Sequence, residues 1–255
     1  MERMLLVMAF VFSGRSSDIS FSTTKSFEVD HELGAILCNN NEIKVLAQKL
    51  MVLVPDRNDY ETCFFHAFFL FLASRGAISS VNDPTQGFFM FPGLQKDGAG
   101  NSKVTSILRK YSDNFDFLDH SITSKTFRYG SITEIYTARD GGSEVAAAHG
   151  GWMADEHCQG AMVEYLVCLS TMIARRARIL GGYEDCRSNY ELPRLVFLEN
   201  ATPETHKSVE RYLNLILHLE EHHETLKPKG KAFLFIKTTF AVFLMHLQNV
   251  KLCYK

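Results

Sequence analysis

KTFRYGSITEIYTARDGGSEVAAAHGGWMADEHCQGAMVEY, residues Lys125–Tyr165, is the stretch that sets how the rest of the chain is read. Ser124 or Thr126 is placed to cap a helix whose first turn carries Arg128. Gly130 and Ser131 are small, as close packing between helices requires. Arg139-Asp140-Gly141-Gly142 reads as a turn. Glu144–His149 reads as a short helix ended by Gly150-Gly151, and the only tryptophan, Trp152, follows at once. Tyr165 then falls in a longer helical segment, Ala161–Ile179, which closes on Arg175, Arg176 and Arg178. Cations at that end suit the helix dipole.

Outward from this stretch the chain alternates apolar helices with one small β region. Met4–Phe12 is apolar on most sides and reads as a buried helix broken at Ser13-Gly14. Its charge-then-apolar start resembles a signal peptide. The run is short, however, Glu2 sits where a basic region belongs, and no small-residue cleavage site follows. Phe27–Val29, Gly34–Cys38 and Leu50–Val54 are short β-like runs, and Asn39-Asn40-Asn41 is a turn signal. They predict a small antiparallel sheet with Lys44 near a hairpin tip. Cys63–Ala73 is long and apolar enough for a buried helix, and Asn101–Tyr111 is a short amphipathic one capped by Asn101 or Ser102. Thr205–Leu226 is amphipathic, with Val209, Leu213, Ile216 and Leu217 near one face, and Pro228-Lys229-Gly230 is a hinge. Ala232–Leu252 is apolar but carries Lys237, His246 and Lys251, which argues against a membrane span and for a docking helix, on its own domain or on a partner subunit.

Composition narrows the function. A dedicated, non-specific nucleic-acid binder is usually more basic than this net charge of -2, so any DNA role rests on a local basic surface. The six cysteines contain no C-x-x-C pair, which argues for reduced thiols and against a zinc site. His218 and His222 are spaced i,i+4 but have no third ligand in the pattern.

The order of the singled-out residues carries more than any one of them. The chain resembles the catalytic domain of the tyrosine recombinase (phage integrase) family, nearest to the Crypton-like recombinases of eukaryotic mobile elements. The family's first box, an apolar helix followed by a Gly-x-Arg-like run and an acid, corresponds to FSGRSSDI with Arg15 and Asp18. A β-hairpin lysine follows, for which Lys44 fits best and Lys49 and Lys25 compete. The second box, His-or-Lys-x-x-Arg, is Lys125-Thr126-Phe127-Arg128, then Gly151-Trp152, then the nucleophile Tyr165. The gap from Trp152 to Tyr165 is longer than in most relatives, with an insertion around Asp155–Gln159. His149 precedes Gly150-Gly151, so the family histidine is not carried onto it. Tyr183, beside Gly181-Gly182, is the fallback nucleophile.

The resemblance implies a mainly α fold with a small antiparallel β-sheet (α+β). Residues 1–200 would be the catalytic-domain-like unit, without the usual N-terminal DNA-clamping domain, and 201–255 a C-terminal helical extension that docks subunits. It implies double-stranded DNA as partner, a homo-oligomer (a tetramer on DNA), no cofactor, no metal and no membrane. The expected place is the nucleus in a eukaryote and otherwise the cytoplasm. Arg15 and Arg128 would fork the phosphate oxygens, a geometry lysine lacks. Lys44 would protonate the leaving 5′-oxygen, Lys125 would assist, and Trp152 would donate its indole N–H. Tyr165 would form a 3′-phosphotyrosyl link. Arg175, Arg176 and Arg178 would hold the DNA backbone. A remnant that binds DNA without cleaving it is the rival, favoured by the long Trp152–Tyr165 gap.

Overall fold

The computed structural model describes residues 1–12, 19–20, 22, 27–39, 50–74, 90–91, 93–96, 98–112, 122–150, 170–186, 190–195, 198–216 and 231–253. These hold eight helices and one three-stranded antiparallel sheet, an α+β arrangement. In chain order they are α1 (Glu2–Val11), β1 (Phe27–Asp30), β2 (Ala35–Asn39), β3 (Leu50–Leu53), α2 (Phe64–Ser74), α3 (Ala99–Ser112), α4 (Ser124–Thr137), α5 (Ser143–Gly150), α6 (Ser170–Leu180), α7 (Pro203–Ile216) and α8 (Lys231–Cys253).

The sheet shows why the strand residues alternate. Pairing Phe27 with Cys38 and Ile36 with Leu53 puts Phe27, Ile36, Cys38, Met51 and Leu53 into the main core. The intervening residues Ala35, Val52 and Val54 point the other way, onto Ala174 and Ala177 of α6. Side chains alternate sides along a strand, so a one-residue slip would exchange these two sets. The β1–β2 turn is held by Asp30, whose Oδ1 accepts the N–H groups of Glu32 and Leu33 at 2.9 and 3.0 Å. Gly34 ends that turn at φ +60°, and a Cβ there would lie 1.4 Å from the Tyr190 carbonyl oxygen. Only glycine meets both demands.

On the core side, α2 buries Phe64, Phe65, Phe68, Phe69 and Phe71. The helix packs against α8 and α1, and α8 also packs on β1. Aromatic pairs join them: Phe27 stacks on Phe235 at 5.1 Å, and Phe69 meets Phe240 and Phe243 at 5.1 and 4.8 Å. The segment Ala232–Leu252 therefore docks on its own fold, where Phe235, Ile236, Phe240, Ala241 and Val242 share one core with α1, α2 and the sheet. The boundary expected at residue 200 does not divide this core, because Leu213 and Phe235 belong to it together with Met4 and Phe65.

Two helix starts differ from the sequence reading. α3 begins at Ala99, so Asn101 and Ser102 lie inside its first turn and not at its cap. α4 begins at Ser124 after Thr123, whose N–H donates to Thr126 Oγ1 at 3.2 Å. Thr126 is thus the reciprocal partner of the cap and not the cap itself. Among the described residues, no helix is long and apolar enough to cross a membrane.

Candidate functional site

α4 is the element on which the second-box residues are carried. Its inner side buries Ser131, Ile132 and Ile135. Arg128, one turn in, is half-buried, and Ser131 Oγ donates to its carbonyl at 3.2 Å. Lys125 is exposed. Tyr129 and Tyr136 lie four and eleven positions beyond Lys125, on the same outward stripe, and are 60% and 59% exposed. The carboxylate of α4, Glu134, falls off that stripe. The sequence reading passed over these two tyrosines; their i, i+7 spacing was the signal for a shared face.

α4 is packed against α1, α3, α5 and α6. Gly130 is exposed, and a Cβ there would sit 3.9 Å from the Phe10 ring, an ordinary contact, so the approach of α1 does not require a glycine at this position. Between them lies an apolar cleft of about 370 Å³ lined by Leu6, Val7 and Phe10 of α1, Phe127 of α4, and Arg3, Glu61, Thr62 and Tyr111. Arg15, Lys44, Trp152 and Tyr165 fall outside the described residues, and so do the rivals Lys49 and Lys25 and the pair His218 and His222. The elements that bracket the four proposed site residues are described. α1 ends just before Arg15, β2 and β3 stand on either side of Lys44, α5 ends two residues before Trp152, and α6 begins five residues after Tyr165.

The arginines at the end of α6 do not form the expected DNA-facing patch. Arg176 and Arg178 are each only 2% exposed. Arg178 donates to the Leu33 carbonyl at 3.1 Å and to the Cys186 carbonyl at 3.4 Å, tying α6 to the β1–β2 turn. Burial holds its pKa below the usual guanidinium value. Arg175 lies 4.0 Å from Asp140, whose other oxygen accepts the Cys186 N–H at 3.3 Å. Because α6 lies against β3, α4 and α5, Arg178 is turned onto the chain's own carbonyls and Arg175 toward Asp140. Tyr183, the fallback nucleophile, is half-buried, and burial pushes its phenol up to about 12. Its ring lies 4.6 Å from Tyr190, and the Arg57 guanidinium packs over both rings at 5.1 and 4.9 Å. That arrangement clamps a loop and does not ready a nucleophile.

A polar cluster sits inside the α2–α8 interface. His66 and His246 are 3% and 0% exposed, with ring centroids 5.8 Å apart. Arg3 of α1 reaches His66 Nδ1 at 3.1 Å and the Glu61 carbonyl at 3.2 Å, and it also bonds the Tyr60 carbonyl. A donor aimed at Nδ1 requires a lone pair there, so His66 is neutral. Burial first, then Arg3 and His246, push its pKa down to about 4. Burial lowers His246 as well, against the opposing charge of Asp56. Cys63, at the start of α2, is 1% exposed, and burial raises its thiol to about 11. A buried thiol of that kind packs and does not attack. Sequence reading missed this cluster; a histidine inside the apolar run CFFHAFF was the signal. Among the described residues no group of three His, Cys, Asp or Glu could hold a metal. No protein-family model, no curated protein and no solved structure matches the chain.

Proposed function

We infer that the chain is a DNA strand transferase of the tyrosine recombinase kind. Arg15 and Arg128 would hold the scissile phosphate, each adding a few kcal/mol to its pentavalent transition state. Tyr165 oxygen gives up its proton to solvent as it bonds to phosphorus, the bond to the 5′-oxygen breaks, and Lys44 gives that oxygen its proton. Lys125 and Trp152 complete the phosphate cradle, while Tyr129 and Tyr136 beside Lys125 offer flat faces to nucleotides flanking the break. The 3′-phosphotyrosyl link keeps the bond energy for rejoining.

One observation carries the reading: the elements next to Arg15, Trp152 and Tyr165 converge on α4, which bears Lys125 and Arg128, and β3, next to Lys44, packs on α6. α1 and α5 both pack on α4, and α6 packs on α4, α5 and β3. Arg15 follows Phe12 by three residues and Trp152 follows Gly150 by two, spans of at most about 11 and 7 Å. An apolar helix, a three-stranded antiparallel sheet and then further helices also occur in the order the resemblance implies. The test uses a nicked DNA substrate that releases a short strand on cleavage. The expected result is an adduct that survives boiling in detergent and disappears in Tyr165→Phe. Binding without any adduct, with the salt dependence of phosphate contacts, selects the non-cleaving remnant. No DNA binding overturns both.

A further inference from the structure

A second cavity lies away from α4, among residues 192–195 and 198–199, α7 and α8. Its volume is about 390 Å³, inside the range of roughly 300–1,000 Å³ common for small-molecule sites. Leu192, Leu195, Leu198 and Leu234 give it an apolar wall. Three of these are 5–6% exposed, and Leu234 opens to solvent at 37%. No residue proposed for DNA chemistry lines it.

Its polar side is cationic. Arg194 and Lys237 line it against one carboxylate, Glu199, and the imidazoles of His31 and His206 add two more nitrogen groups. Arg194 is already engaged by Glu191. Lys237 is different. It projects from the second turn of a largely apolar helix, is half-buried, and is in no ion pair among the described residues; Glu199 is not within ion-pairing distance. Its stem can lie along the leucine wall while its ammonium stays at the cavity surface, where an anion can meet it. An inorganic anion would leave the leucines unused, and a neutral lipophile would leave the ammonium unmet.

We propose that this cavity binds a small organic anion with an apolar tail, of the medium-chain carboxylate class, with Lys237 holding the carboxylate and the leucines the tail. The site is independent of the DNA-cleaving reading. The test is calorimetry on the full chain with decanoate below its micelle concentration, with decanol and inorganic phosphate as separate titrants. Decanoate binds the wild type; Lys237→Gln weakens it at least about tenfold, and decanol is unaffected by that change. Leu234→Trp, at the open edge, blocks both tailed molecules. Absent decanoate binding, equal decanoate affinity in Lys237→Gln, or phosphate binding as tightly as decanoate each overturns the proposal.

Discussion

At the scale of single residues, the buried imidazoles set a pH dependence. His66 titrates near 6.5 when unfolded and near 4 when folded. Between those values the unfolded chain holds more protons, so stability rises with pH across the window. It is complete above about 6.5 and is lost as pH falls toward 4, by up to about 3 kcal/mol for this one group. His246 shifts in the same direction and adds to the loss. Urea unfolding at pH 7 and pH 5, where most exposed carboxylates are still ionised, checks this. The midpoint falls in the wild type and falls less in His66→Phe, which keeps a ring against Phe243. Gly34 supplies a second residue-scale expectation. Gly34→Ala collides with the Tyr190 carbonyl and forces a strained φ, so it destabilises by more than about 2 kcal/mol. Gly130→Ala meets only ordinary contact with Phe10 and gains roughly 0.5–1 kcal/mol from helix propensity. Melting temperatures of the two variants should move in opposite directions.

At the scale of elements, α8 is a core helix. Phe235→Ala removes a ring that touches Phe27 and Phe68, at a cost of about 3–5 kcal/mol in urea unfolding. An α8 that merely docked on a partner would show far less. The exposed stripe of α4 has its own test. Lys125→Ala lowers the salt slope of DNA binding by about 1, as loss of one phosphate contact requires, while changes at Arg178 act through folding. Most of this level was legible in the sequence. The short, continuous apolar runs Gly34–Cys38 and Leu50–Val54 marked strands buried on both faces, and the phenylalanine run after Cys63 marked the buried helix. Arg175, Arg176 and Arg178 were not legible. Three arginines at a helix end look the same whether they face DNA or are turned inward, as Arg178 is onto the Leu33 and Cys186 carbonyls and Arg175 is toward Asp140, because Leu33 and Asp140 lie far off in sequence. His66 and His246 were hidden for the same reason: 180 positions separate them, and only the packing of α2 on α8 brings them together.

At the scale of the whole molecule, the sheet is covered on both faces: α2 and α8 on one side, α6 on the other. The α4–α5–α6 group therefore joins the main core through β3 and α1. That layout gathers the flanks of Arg15, Trp152 and Tyr165 on one helix, α4, yet each residue signal was weak in sequence and only their order spoke for a phosphate site. The account stands or falls on which side chain carries the broken strand. The direct measurement is mass spectrometry of the protease-digested protein after reaction with the nicked substrate. The expected product is a nucleotide attached through phosphate to the peptide containing Tyr165. A nucleotide on Tyr183 instead, or no modified tyrosine although the DNA is bound, would contradict it.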